Sequence, residues 1–106
     1  MAKYLLQGSY TAEGAKGLLK DGGSKRRAAA KALVESVGGK IECLYFAFGK
    51  TDVVAIVEMP DSASAAAASL AIGASGALTS KLTVLLTPEE LDQAAKKSTR
   101  HTPPGK

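Results

Sequence analysis

Few residues in this chain can do chemistry, and their spacing narrows what chemistry that is. Three consecutive cations, Lys25, Arg26 and Arg27, follow Gly22, Gly23 and Ser24. If Ser24 caps a helix over Lys25–Val37, the cations fall in its first turn. Free backbone N–H groups and two guanidinium forks there suit a phosphate or a carboxylate. The helix dipole opposes cations at that end, so a solvated basic surface or pairing with a neighbouring subunit is the favoured reading, with a small-anion site the alternative. The segment lacks the spacing and the terminal Gly-Lys-Ser/Thr of a phosphate-binding P-loop. Tyr10, Tyr45, Phe46 and Phe48 either line a cleft for an aromatic ligand or pack as core. Asp52 is either a general base or a turn residue bonding its own backbone. Tyr10, Ser24, Arg26, Arg27, Tyr45 and Asp52 are therefore the candidate ligand-binding residues, and no catalytic residue is assigned.

Other chemistries find little support. One histidine, His101, and one cysteine, Cys43, lie far apart and match no metal-ligand spacing. No metal or cofactor is expected. Cys43 has no nearby histidine to activate it and reads as a small buried hydrophobe. Unpaired, it points to a reducing, cytoplasmic setting. The serines have neither a nucleophile elbow nor triad partners. The formal charge is +4, a modest bias towards anions. The aromatic residues cluster on one strand without flanking basic residues, unlike an RNA-binding sheet, so no nucleic acid partner is expected. MAKYLLQG is too short in its apolar part for a signal peptide. The Ala-rich run near Ala63–Leu78 is too interrupted by Ser and Gly to span a membrane.

The elements that would position these residues centre on Lys40–Pro60. Two apolar runs, Ile41–Phe48 and Val53–Met59, flank Gly49–Asp52 and predict a β-hairpin. Neither run alternates cleanly. Ile41, Cys43, Tyr45 and Ala47 oppose Leu44, Phe46 and Phe48, while Val53, Ala55, Val57 and Met59 oppose Val54 and Ile56. Before the hairpin, Lys3–Tyr10 reads as a strand and Thr11 caps a short helix over Ala12–Leu19. The second helix carries Ala30, Leu33, Val34 and Val37 as one stripe and stops at Gly38–Gly39. After the hairpin, Asp61 caps a helix over Ala63–Ala74, with Ala67, Leu70, Ala71 and Ala74 expected inside. A strand follows over Leu78–Leu86. Thr87-Pro88-Glu89-Glu90 then supplies an N-cap, Pro at the first helical position and a capping-box Glu.

The order, strand–helix–strand–strand–helix–strand plus a C-terminal helix, predicts an α+β, ferredoxin-like domain with a four-stranded antiparallel sheet. Residues 1–97 form the domain, and 98–106 a flexible basic tail. Both main helices cover one sheet face. A hairpin apolar on both faces needs the other face covered too, and a second copy of the chain is the economical cover. The expected partner is thus the same chain, as a homodimer or higher homo-oligomer.

The runs GGSKRRAA (Gly22–Ala29), FAFGKTDVV (Phe46–Val54), MPD (Met59–Asp61) and LLTPEEL (Leu85–Leu91) resemble the GYD-domain family. The resemblance covers nearly the whole chain in order. It implies a dimeric α+β barrel, in a family of generally unassigned activity. In the motif Gly-x-Tyr-Asp, Gly49 and Asp52 match, whereas Thr51 replaces the tyrosine, so no role of that phenol carries over. Two functions fit: a binding or accessory module for a small anionic or aromatic organic ligand, or a cofactor-independent monooxygenase or isomerase of the kind found among relatives of this barrel class.

Overall fold

A computed structural model describes residues 1–105. Lys106, the end of the expected tail, lies outside the described residues. The elements are β1 (Ala2–Tyr10), α1 (Ala12–Asp21), α2 (Gly23–Ser36), β2 (Lys40–Phe46), β3 (Val53–Met59), α3 (Ser62–Ala74), β4 (Leu78–Leu85) and α4 (Pro88–Lys96). The strands form one antiparallel sheet in the order β2-β3-β1-β4. This is the predicted ferredoxin-like arrangement, with β1 and β3 central and β2 and β4 at the edges.

Register decides which face of the hairpin is covered. Val53, Ala55, Val57 and Met59 are buried at alternate positions of β3. Tyr4 sits opposite Val57 on β1, and Val34 of α2 with Ala65 and Ala68 of α3 close over them. The opposite set, Val54 and Ile56, stays half-buried on the sheet face away from α2 and α3.

In β2 the structure departs from simple alternation. Ile41 pairs with Val57 and Cys43 with Ile56, so Glu42 is the extra residue of a β-bulge. The bulge shifts the phase by one. Ile41 therefore joins Leu44 on the helix side instead of sharing a face with Cys43 and Tyr45. Cys43 consequently lies half-buried on that opposite face rather than in the core.

Helix ends follow local chemistry. Thr11, Asp61 and Thr87 each accept a hydrogen bond from the N–H three residues on. Around Thr87 the capping box is complete: the Glu90 N–H donates to its Oγ1 at 3.0 Å, and its own N–H donates to Glu90 Oε1 at 3.0 Å. At the end of α2, the Gly38 N–H donates to Glu35 O and the Gly39 N–H to Val34 O, the paired bonds of a Schellman stop. Gly38, at φ 82°, takes the left-handed conformation this requires.

Two expectations about helices are corrected. Ser24 does not cap α2; the cap position is Gly22, which offers no side chain because it also closes α1, its N–H donating to Leu18 O. With α1 running to Asp21, there is no room for a longer linker. The inner face of α3 is Ala65 and Ala68, with Leu70 73% exposed, instead of Ala67, Leu70, Ala71 and Ala74. In a helix this rich in alanine, several faces are apolar, and packing on β3 and β4 selects the one that approaches closest.

α4 stands apart. None of its residues is buried, and Leu91 is 59% exposed. No helix among the described residues is long and apolar enough to cross a membrane.

Candidate functional site

The hairpin turn positions the first candidate residues. Gly49 has φ 128°, open only to glycine in practice. The Asp52 side chain does not bond its own turn: its Oδ2 accepts from the Tyr10 N–H at 2.8 Å, while the Asp52 N–H donates to Gly8 O at 2.8 Å. The Ala47 N–H donates to Asp52 O, and the Ser9 hydroxyl to Lys50 O. The turn is thereby bound to the end of β1. Tyr10 and Asp52 share a recess of about 350 Å³ with Leu18, Phe46 and Phe48.

A second, largely apolar cleft of about 220 Å³ lies between α2, α3 and the sheet. Leu6, Leu44, Val53 and Leu78 give its floor, Ala30, Leu33 and Ile72 its walls, and Tyr10, Phe46 and Arg26 also line it. Among the described residues, Arg26 is the only charged side chain on its wall. Arg26 reaches it because residues 26, 29, 30 and 33 share one side of α2. That spacing is readable in the sequence as a backward extension of the Ala30–Leu33 stripe, and it is the signal that finds Leu33 and Arg26 together. Ile72 and Leu78 carried no comparable local signal.

Arg26 and Arg27 do not converge. Arg27, with Ser24 and Tyr45, lines a separate groove of about 740 Å³ along the exposed edge of β2, together with Lys31 and Lys40 of the same basic margin. Successive helix residues point about 100° apart, which separates the two guanidinium groups. The six candidates thus divide: Tyr10, Arg26 and Asp52 face the helix-side recesses, and Ser24, Arg27 and Tyr45 face the edge groove.

The glycines ahead of the basic run have structural assignments. Gly22, at φ 82°, makes the turn between α1 and α2. Gly23 lies against the Phe46 ring, where a Cβ would come within 3.1 Å of Cε2. The cations are partly offset by the last residue of α1. Lys25 Nζ and Arg26 Nη1 lie 3.7 and 3.9 Å from the Asp21 carboxylate. Both contacts are solvent-accessible and therefore weak.

Among the described residues no group of three or more His, Cys, Asp or Glu side chains comes together in a way that could hold a metal. What the helix-side cleft offers instead is a largely apolar lining with one cationic residue, Arg26, and the Tyr10 phenol. Such a site can orient a small anion with a hydrocarbon body.

Fold and site together define a small α+β protein of the ferredoxin-like type, with its recesses between the sheet and its helices. The GYD domain model matches residues 4–95, and the chain belongs to that family. Neither the curated proteins nor the solved structures contain a match to it. The matched span includes nearly all of α4, so this exposed helix is part of the domain.

Proposed function

We propose that this GYD-domain protein is a cytoplasmic homodimer that binds a small organic anion in the cleft between α2, α3 and the sheet. The observation that carries the ligand reading is that Arg26 is, among the described residues, the one charged residue lining an otherwise largely apolar cleft that also holds Tyr10; its ion pair with Asp21 is solvent-accessible and weak enough to yield to a ligand. Burying apolar surface would supply the affinity, and a charge-assisted bond to Arg26 the orientation. At about 220 Å³, the cleft falls below the roughly 300–1,000 Å³ of sites for drug-sized ligands. A single-ring carboxylate is the appropriate scale.

The dimer reading rests on the sheet face away from α2 and α3. Leu5, Val54, Ile56 and Leu85 lie there, each only half-buried, and a second sheet packed on them would remove this surface from water. The unpaired Cys43 on the same face supports a reducing environment.

Thermal unfolding with benzoate, acetate and chloride tests the site. Benzoate should raise the melting temperature with the logarithm of its concentration once above its dissociation constant. Arg26→Gln should abolish the shift and Arg27→Gln should leave it. A shift equal for all three anions, or one that survives Arg26→Gln, would overturn the reading. Sedimentation showing only monomer at micromolar concentration would overturn the dimer.

A second reading, a cofactor-independent oxygenase or isomerase, draws on one observation: Tyr10 and Asp52 line the same recess. Against it, one Asp52 carboxylate oxygen is already engaged by the Tyr10 backbone.

A further inference from the structure

Two recesses on the helix side of the sheet share one wall. Tyr10 and Phe46 line both the Arg26 cleft of about 220 Å³ and the outer recess of about 350 Å³, and among the described residues they alone do so. Strand pairing puts them there. Phe46 pairs with Val53, and Val53 pairs with Gly8, two residues before Tyr10 on the same face of β1. Each ring rests on a helix glycine. A Cβ on Gly14 of α1 would come within 2.9 Å of the Tyr10 ring, and one on Gly23 of α2 within 3.1 Å of the Phe46 ring. The partition is thus built from two aromatic side chains, one seated against α1 and the other against α2.

The two sides of this wall differ in chemistry. The inner cleft holds the cation, Arg26. The outer recess holds none among the described residues; Asp52 lines it with the apolar Ala15, Leu18 and Phe48. An anion anchored on Arg26 therefore has further apolar surface beyond the wall, and the two rings separate it from that surface. Of the two, Tyr10 is the fixed one. Its backbone N–H is tied to Asp52, and β1 is paired on both sides. Phe46 ends β2 at the sheet edge, is 40% exposed and lies outside the buried cluster. Its ring can be removed without emptying the core.

We infer that Phe46 sets the size limit of the site: its ring closes the Arg26 cleft off from the outer recess and confines the ligand to a single-ring monoanion. The inference rests on the ligand reading above and adds to it the residue that determines specificity. Without that ring the two volumes would join, at a size within the roughly 300–1,000 Å³ of sites for drug-sized ligands. An anion held on Arg26 would then lay a second ring against Leu18 and Phe48. The glycine ahead of the basic run gains a reason as well, since Gly23 leaves the room in which the Phe46 ring lies.

Isothermal titration of the full-length protein with benzoate and 4-phenylbenzoate, whose second ring lies in line with the first, tests this. The wild type should bind benzoate more tightly. In Phe46→Ala the affinity ratio of 4-phenylbenzoate to benzoate should rise about tenfold, as expected from burying one more ring. A general loss of affinity cancels in that ratio. Phe46→Leu keeps an apolar side chain at the strand end, should fold even where Phe46→Ala does not, and should raise the ratio about threefold. Circular dichroism verifies the folding of each variant. Adding Ala15→Asp, on the exposed rim of the outer recess, should cancel the gain, because it puts a carboxylate where the second ring would lie. A ratio that stays at the wild-type value in both Phe46 variants would overturn the size limit. So would a wild-type preference for 4-phenylbenzoate, or a gain that survives Ala15→Asp. If neither anion binds the wild type or any variant, the ligand reading itself fails. If benzoate binding depends on Arg26 and the ratio does not move, the ligand reading stands and only the role of Phe46 is lost.

Discussion

The carboxylate of Asp52 accepts a hydrogen bond from the backbone N–H of Tyr10 at 2.8 Å, across 42 positions of sequence. β1 and the hairpin turn are thereby held at a fixed distance, and the wall that carries the Tyr10 ring is set by the same contact. The residue that sequence alone leaves open as a base is a structural tie.

Asp52→Ala should therefore destabilise the protein by about 1–3 kcal/mol, the cost of leaving a part-buried N–H without its acceptor. Asp52→Asn keeps an oxygen in place and should cost clearly less. Chemical denaturation of the two variants measures the difference. Equal losses would mean that the negative charge, rather than the bond, is what matters.

Thr87→Ala should act locally. Losing the cap weakens α4 by about 1 kcal/mol, but α4 contributes nothing buried to its own chain. Amide hydrogen exchange should therefore speed up about fivefold in Leu91–Lys96, while exchange in β1 and β3 stays unchanged. Equal acceleration in the central strands would show that α4 is coupled to the core.

Asp61 gives a pH signature. The Ser64 backbone N–H donates to its Oδ1 at 2.7 Å, and that bond, with a smaller contribution from the Ser64 side chain, holds the carboxyl below its usual range. The folded state thus binds this proton less readily than the unfolded chain. The cap's contribution is fully present above the unfolded value and is lost as pH falls through the lowered folded value. Stability measured from pH 6 downwards, about two units above the ordinary carboxylate range, should fall less steeply in Asp61→Asn than in the wild type. Parallel curves would mean that other carboxylates carry the whole acid dependence.

Much of this architecture is legible in the chain because local rules dictate it. Thr11, Asp61 and Thr87 announce helix starts through side-chain oxygens that can reach only nearby N–H groups. Gly38–Gly39 announces a stop because only a residue free of a Cβ adopts its conformation cheaply. The strand order follows from connection rules, and the α2 stripe from helical periodicity. The family follows from runs that keep their order along the chain.

What tertiary structure alone decided involves choices between locally equivalent options. Either face of the hairpin was apolar enough to be core; pairing with β1 and cover by α2 and α3 selected Val53, Ala55, Val57 and Met59. A bulge at Glu42 reversed the phase of Ile41, and no composition signal marks one extra residue in a strand. On α3, alanines on several sides made the inner face undecidable until packing fixed Ala65 and Ala68. The same holds for the site. Arg26 and Arg27 are neighbours in sequence and share one chemistry, yet helix geometry and the position of α2 over the sheet send one to the apolar cleft and the other to the open edge. Sequence determined which groups exist and which helices they ride on; long-range packing determined which of them can meet, because contacts between distant segments depend on register and close approach rather than on any local preference.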